Sequence, residues 1–327
     1  IAGGEFNVAI GNYALDALTS ADYCTAVGYN AGTALTTGVK GTIVGYGAGA
    51  AVVSAQNVTL MGYNAGTANT AHELTAFGSE AALGVTSGGG ITAIGREAYK
   101  VADTETHNMA IGLQAMAGAV NGGEYNVAIG NYSLDELTTA DFSTALGYSA
   151  GTSVTTGGYG TYLGYQAGKE VTEGTHSVFI GANNALANTT GADNISIGSA
   201  ALDAADTESH NMAIGNGALG GAVAGGEYNV AIGNNSLDAL TSGDYNVALG
   251  YEAGTGLTTG TENTFLGNGA AYSITTGSYN TIVGSRAGNG YDAESHNLAM
   301  GYDALGGAVA GGEYNVAIGN YALDALT

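Results

Sequence analysis

The sequence predicts an all-β parallel solenoid of about 19 short coils, and two observations predict it. First, the 327 residues include 58 Gly and no Pro or Trp, while 45% of them are hydrophobic. Glycine costs about 1 kcal/mol relative to alanine inside a helix, and a disordered chain carries less apolar content than this one. Second, a glycine preceded by an apolar residue recurs along the whole chain at spacings of 16, 17 or 18 residues. Such a period is the signature of a repeat architecture.

We call these residues the rung glycines and number other positions from the rung glycine of the same coil. Ile10 is therefore at position −1 and Ala14 at position +3 of the first coil. No linker, charge block or change of composition interrupts the pattern, so residues 1–327 are predicted to form one continuous domain, a piece of a longer chain. The rung glycines are Gly11, Gly28, Gly45, Gly62, Gly78, Gly95, Gly112, Gly130, Gly147, Gly164, Gly181, Gly198, Gly215, Gly233, Gly250, Gly267, Gly284, Gly301 and Gly319.

Each coil is predicted to contain one short strand that ends immediately before its rung glycine. Position −1 is apolar throughout, and position −3 is Val, Thr, Met, Ile or Leu. Because side chains alternate along a strand, these two positions share a face, and we expect that face to line the interior. Position −2 should then face outward, yet it is Ala in 12 coils and bulky or apolar in most others. An exposed apolar column of this length is unfavourable, so we expect partner chains to cover position −2.

Other columns indicate how the turns are built. Position −4 is Asn in 11 coils, for example Asn7, Asn126, Asn229 and Asn315, and stacked asparagines can hydrogen-bond along a solenoid. Position −5 is Phe, Tyr or His in 13 coils. A second glycine at position −7 and a small residue at position +3 predict turns where neighbouring backbones come close. The segment after the rung glycine, such as residues 14–18, is predicted to be either a second short stretch or a brief helical turn.

Charge and cysteine content exclude several classes of partner. The net charge is −23, with 5 Lys plus Arg against 28 Asp plus Glu. An acidic surface repels nucleic acid and anionic membranes, so neither is an expected partner. No apolar run approaches the roughly 18–20 residues of a membrane span. Cys24 is the single cysteine, so it cannot form an internal disulfide, and its role and the redox compartment stay open.

Two sequence motifs resemble known fibre repeats. The Ala-Ile-Gly-Asn-Tyr-Ala sequence of residues 9–14, repeated as Ala-x-Gly-x-x-Ala, is similar to the repeat of trimeric autotransporter adhesin heads, although a 17-residue coil is longer than that repeat. Residues 279–288, with the Thr-Thr-Gly turns, resemble repeats of bacteriophage tail fibres. The resemblance implies a homotrimer of identical chains in an extracellular location, on a virion tail fibre or a bacterial surface. It implies a shaft or spacer that supports attachment, with a distal tip contacting a cell-surface glycan or receptor.

The charged residues favour a non-catalytic role without cofactors. Catalysis needs one unique constellation, whereas these carboxylates recur in columns that we expect to lie on a solvated surface, such as Glu5 with Glu124 and Asp16 with Asp135. A polysaccharide-cleaving enzyme is disfavoured for that reason. Residues 71–104 depart most from the pattern and hold Glu73, Glu80, Arg96, Glu97 and Lys100, so any local site is expected there.

Histidine, tyrosine and threonine leave alternatives open. His107, His210 and His296 occupy position −5, where a ring in a stacked column is favoured over a metal site formed with symmetry mates. Tyr follows the rung glycine in several coils, and Tyr29, Tyr46 and Tyr63 would be glycan contacts if this region were itself the adhesin. Thr occupies position −3 in nine coils, which leaves an ice-binding solenoid as another alternative.

Overall fold

The computed structural model describes residues 4–70, 72–221, 224–290, 292–307 and 311–324. Within these ranges the chain forms 19 short parallel strands and no helix, so the predicted all-β parallel solenoid is confirmed. Each strand ends at the residue before a rung glycine, as predicted. The segments after the rung glycines are turns, and the described part of the chain shows no helical turn at residues 14–18.

The first compact unit comprises residues 1–160. Each strand pairs in parallel with the next one along the chain, so that Val8 lies opposite Thr25 and Ile10 opposite Val27. The same register continues through the following coils. Its strands are β1 (Val8–Ile10), β2 (Thr25–Val27), β3 (Thr42–Val44), β4 (Thr59–Met61), β5 (Leu74–Phe77), β6 (Ile91–Ile94), β7 (Met109–Ile111), β8 (Val127–Ile129) and β9 (Thr144–Leu146).

The second compact unit comprises residues 161–327. It repeats the same parallel pairing, and Val230 lies opposite Val247. The prediction of one continuous domain over both units stays a prediction. The strands of the second unit are β10 (Thr161–Leu163), β11 (Val178–Ile180), β12 (Ile195–Ile197), β13 (Met212–Ile214), β14 (Val230–Ile232), β15 (Val247–Leu249), β16 (Thr264–Leu266), β17 (Thr281–Val283), β18 (Leu298–Met300) and β19 (Val316–Ile318).

The rung glycines stack directly on one another. Gly233 has a φ of 137°, and a Cβ atom there would lie 2.1 Å from the carbonyl oxygen of Gly250. Gly130 has the same relation to Gly147. Because no side chain fits between these backbones, glycine is required after a strand wherever another coil stacks on it.

The predicted orientation of the strands is wrong. Position −2 faces the interior, and Ala128 and Ala231, which we expected at an inter-chain contact, are fully buried inside their own coils. Positions −3 and −1 face outward instead, and Leu146 and Leu249 expose 46% and 41% of their surface. The apolar column at position −2 is therefore covered by the coil itself and needs no partner chain.

The side chains at positions −2 and +4 fill the same interior space from opposite walls of the coil, so a large residue at one position goes with a small residue at the other. Position −2 faces inward because its side chain fills part of this space. A Cβ atom on Gly168 would lie 2.6 Å from the Tyr162 ring, and one on Gly254 would lie 2.6 Å from the Phe265 ring. Where position −2 is alanine, position +4 is often large, as in the pair Ala93 and Tyr99, both fully buried. The two walls of the thin core thus fill one shared space at close packing.

Candidate functional site

In each of the two units the outward face of the strands carries an uncharged surface, which we call the outward stripe and define as positions −3 and −1 of the coils. No Asp, Glu, Lys, Arg or His occurs at either position in any of the 19 coils, although the chain has a net charge of −23. Several of its members are substantially exposed, and the largest of these apolar side chains are Val8, Ile10, Phe77, Leu146, Ile197, Val247, Leu249, Leu266, Met300, Val316 and Ile318.

Position −5, the aromatic column, borders the outward stripe and forms stacks of parallel rings. The rings of Tyr125 and Phe142 lie 5.2 Å apart at an interplanar angle of 4°. In the second unit the rings of Tyr228 and Tyr245 lie 5.1 Å apart at 5°. The backbone at this position is left-handed, with φ near 58° at Tyr125. The rings therefore stand one above another and turn their edges to solvent.

The three candidate histidines are members of these stacks. His107 stacks on Tyr125 at 4.8 Å, His210 on Tyr228 at 4.6 Å, and His296 lies between Tyr279 and Tyr314, 4.8 Å from each. Among the described residues, no group of three or more His, Cys, Asp or Glu side chains is placed to hold a metal ion. Within one chain the histidines thus serve as rings in a column.

The candidate glycan contacts also stack on one another. The ring centroids of Tyr29 and Tyr46 lie 5.2 Å apart, and those of Tyr46 and Tyr63 lie 5.5 Å apart, with interplanar angles of 14° and 15°. A sugar stacks on the face of an aromatic ring, but the two faces of Tyr46 are covered by its neighbours. The hydroxyl groups and edges of these tyrosines remain the accessible parts.

The asparagine column at position −4 is mostly buried, and its side chains form hydrogen bonds between successive coils. The backbone N–H of Asn246 donates to Oδ1 of Asn229 at 2.9 Å, and Nδ2 of Asn229 donates to the carbonyl oxygen of Gly243 at 2.8 Å. Asn126 makes the equivalent bonds in the first unit. Asn7 accepts the backbone N–H of Cys24, and Asn315 donates its own N–H to Asn297. The predicted hydrogen bonding between stacked asparagines is confirmed.

Cys24 occupies the asparagine column and is buried there. Burial raises the pKa of its thiol, and hydrogen bonding to the Gly41 backbone opposes that rise only in part. A buried, protonated thiol is a poor nucleophile.

Three glutamates at position −7 are nearly buried, contrary to the expectation of a solvated acidic surface. Oε2 of Glu294 accepts the backbone N–H groups of Asp292 and Ala293 at 2.8 and 3.0 Å, and Oε1 accepts that of Gly311 at 2.9 Å. Glu105 and Glu208 make the same three bonds in their coils. Each glutamate stands where most coils have the turn glycine of position −7, and in each case the next rung glycine follows after 18 residues instead of 17. This association is visible in the sequence and could have indicated that the glutamates bind the longer coil that follows. The glutamates fasten the longer coils to their neighbours.

The Glu294 carboxylate is expected to make stability depend on pH. Burial opposes its ionisation, but the backbone N–H groups of Gly311, Asp292, Ala293 and Glu294 itself together outweigh burial and lower the pKa from the ordinary 4.5. Because the folded pKa is the lower one, the stabilisation is complete above about pH 5 and is lost as the pH falls through the folded pKa. We expect Glu294→Gln to lower the melting temperature at neutral pH and to converge with the native chain in acid. Melting curves from pH 7 to pH 3 test this, with the exposed Glu313→Gln as the control; a constant difference at every pH would contradict it.

The predicted local site at residues 71–104 contains a surface ion-pair cluster. Nζ of Lys100 lies 2.7 Å from Glu80 and 3.8 Å from Glu97, and Nε2 of Gln114 donates to Glu97 at 2.7 Å. Arg96 lies 3.6 Å from Glu97, while Glu73 is exposed in the aromatic column. The hydrogen bond to Glu80 raises the pKa of Lys100, so that its charge is held firmly in the cluster. The charged and polar side chains of this cluster therefore pair with one another between neighbouring coils.

At position +8, threonine hydroxyls donate hydrogen bonds to backbone carbonyl oxygens of the next coil. Oγ1 of Thr241 donates to the carbonyl oxygen of Thr258, and Oγ1 of Thr258 to that of Thr275, both at 2.9 Å. The outward threonines at position −3 form their longest uninterrupted column over β2 to β6. The uninterrupted grid of threonines that an ice-binding face requires would therefore extend over those five coils only.

None of the described residues lies in a helix that is long and apolar enough to cross a membrane. No family model matches the chain, and the search of curated proteins finds no match.

Proposed function

We propose that the chain is a structural shaft or spacer of an extracellular fibre, formed by identical chains that associate through the outward stripe. The observation that supports this most directly is the absence of charge from two outward positions in all 19 coils of a strongly acidic chain. Chains with a net charge of −23 repel one another over most of their surface. The outward stripe of each unit is the face where they can approach without that penalty.

The available area is sufficient for stable association. Ten coils of the second unit that each expose on the order of 100 Å² at the stripe offer about 1,000 Å² per copy, against roughly 800 Å² per partner in a standard interface. Burial of apolar surface contributes about 25 cal/mol per Å², so the stripe is a strong driving force even after the entropic cost of association. We propose three copies on the basis of the resemblance to trimeric fibres.

The repetition of the molecule supports a mechanical role. The glycine stack, the asparagine column and the buried glutamates all act between neighbouring coils, and each recurs along the chain. Such an architecture transmits load along its length and gives every coil the same neighbours. On this proposal, attachment to a host glycan or receptor is made at a distal tip, on a virion tail fibre or a bacterial surface.

A charge placed in the outward stripe is expected to separate the chains without unfolding them. We expect the native chain to have the mass of a trimer by light scattering, and the double variant Leu146→Asp with Leu249→Asp to have the mass of a monomer. Both leucines are exposed in the single chain, so the circular dichroism should keep its β spectrum.

The matched control adds the same two charges outside the stripe. Asn131→Asp with Asn234→Asp keeps the side-chain oxygens that accept the N–H groups of Leu113 and Asn216, and it should leave the trimer intact. A native chain that is monomeric at high concentration would refute association, and a dimer would refute the trimer alone.

A further inference from the structure

The aromatic column of the second unit is interrupted by an acidic residue at two coils, and one of these interruptions lies between two tyrosines. Tyr228 and Tyr245 form one stack, and Tyr279, His296 and Tyr314 form another. Glu262 occupies position −5 of the coil between them. We call this place the Glu262 gap and define it by Tyr245, Glu262 and Tyr279.

The backbone fixes the three residues one above another. The N–H of Glu262 donates to the carbonyl oxygen of Asp244, and the N–H of Tyr279 donates to that of Thr261, each at 3.0 Å. All three residues share the left-handed conformation, with φ values of 58°, 55° and 60°. Because the coils repeat every ~4.8 Å, the Tyr245 and Tyr279 rings lie roughly 10 Å apart with their faces toward each other.

On the side of the gap, neither Tyr245 nor Tyr279 has a neighbouring ring, and the difference in exposure is visible at Tyr245. Tyr228, which has a ring on both sides, exposes 43% of its surface, whereas Tyr245, which has a ring on one side, exposes 57%. A depression in the surface at this point is lined by Tyr245, Glu262 and Thr264. The Glu262 side chain is exposed, so its carboxylate is accessible to a ligand in the depression.

We propose that the Glu262 gap binds a quaternary ammonium group. A cation is attracted to the face of an aromatic ring when it lies within about 6 Å of the centroid. A group centred in the gap would lie roughly 5 Å from both rings, which satisfies that distance twice. The Glu262 carboxylate supplies the counter-charge, and the negative field of the chain raises the local concentration of cations.

The shape of the gap selects a compact alkylated cation. The methylene groups of Glu262 share the layer between the two rings, so a complete additional ring does not fit beside them. A trimethylammonium group is small and presents apolar methyl groups in every direction, which suits two facing rings. A potassium ion is more strongly hydrated than a quaternary ammonium group and gains less, because it must give up its water to contact the rings.

A second acidic interruption of the aromatic column provides a matched comparison. Asp193 lies between His176 and His210 at position −5, and its carboxylate is 3.6 Å from Nε2 of His210. Imidazole neighbours offer a cation no tyrosine face, and the carboxylate lies beside the His210 ring. Asp193 should therefore bind no quaternary ammonium.

Binding of choline to the full chain tests the proposal. Saturation-transfer NMR on the choline methyl groups, with potassium chloride at equal ionic strength as the reference, should show binding with a Kd on the order of millimolar. Glu262→Tyr fills the gap with a ring and should abolish the signal. Tyr245→Asn and Tyr279→Asn should each weaken binding about two- to fivefold, the range expected for one exposed cation–π contact. Asn is chosen because Asn57 has the same backbone conformation in this column.

Controls separate the site from general charge effects. Asp193→Asn removes an equivalent charge and should leave choline affinity unchanged, whereas Glu262→Gln should weaken it. Flotation with phosphatidylcholine vesicles distinguishes the source: co-flotation that Glu262→Tyr abolishes indicates a lipid headgroup, and choline binding without flotation indicates a free ligand. Choline binding no stronger than that of potassium, equal binding of guanidinium, or full binding by Glu262→Tyr would overturn the proposal.

Discussion

Replacing Gly233 by alanine is expected to cost on the order of 3 kcal/mol or more of the free energy of unfolding. The new Cβ would lie 2.1 Å from the carbonyl oxygen of Gly250, and both partners are backbone that cannot turn aside. The φ of 137° is also unfavourable for any residue with a side chain. Relief requires the two coils to separate, which breaks the strand pairing of β14 with β15.

A second glycine provides the control for this prediction. Gly269 has a φ of 58°, but nothing lies within 4 Å of its Cβ position. Gly269→Ala should therefore cost only roughly 1 kcal/mol, the price of a left-handed conformation. Urea unfolding followed by circular dichroism measures both variants. Equal losses would show that contact between the stacked backbones adds no cost beyond that of a side chain at Gly269.

A charge at position −2 is expected to have the other large effect. Ala248 and Leu249 are neighbours in β15, and Ala248 is fully buried whereas Leu249 faces outward. Ala248→Asp would place a carboxylate in the apolar core, where it lacks both water and a partner. We expect a loss above about 4 kcal/mol and local unfolding of the coil.

The adjacent substitution separates the two faces of one strand. Leu249→Asp should keep the β spectrum and a similar melting temperature in a non-associated chain, since its carboxylate reaches solvent. Thermal unfolding of both single variants, compared in the Leu146→Asp background, provides the measurement. If Leu249→Asp unfolded the coil and Ala248→Asp did not, the interior would lie on the opposite face of the strand.

At position −2 the sequence predicts the place of the strand correctly but its inward and outward faces the wrong way round. Positions −3, −2 and −1 are all uncharged, so polarity does not distinguish the two faces of the strand. The sequence did hold a signal that would have settled the direction. Large residues at position −2, such as Tyr162 and Phe265, occur with a small residue at position +4, here Gly168 and Ala271. A large residue at one position paired with a small residue at the other indicates that the two side chains occupy the same interior space, so position −2 must face inward.

The sequence by itself determined the fold class, the number of coils and the place of every strand. The physical reason is that only glycine fits where the backbones of neighbouring coils stack. The same residue therefore recurs once per coil and marks the end of every strand. The asparagine column was likewise readable, since an amide side chain in the same place of each coil can bond only along the stack.

Only the tertiary structure decided which face of each strand is inside and that Glu105, Glu208 and Glu294 are buried. Each of these depends on how far the chain turns between strands. The turns place position +4 opposite position −2, and they fold the position −7 carboxylates onto backbone N–H groups. That closure is a property of the whole coil, because the alternation of side chains within a three-residue strand is compatible with either direction.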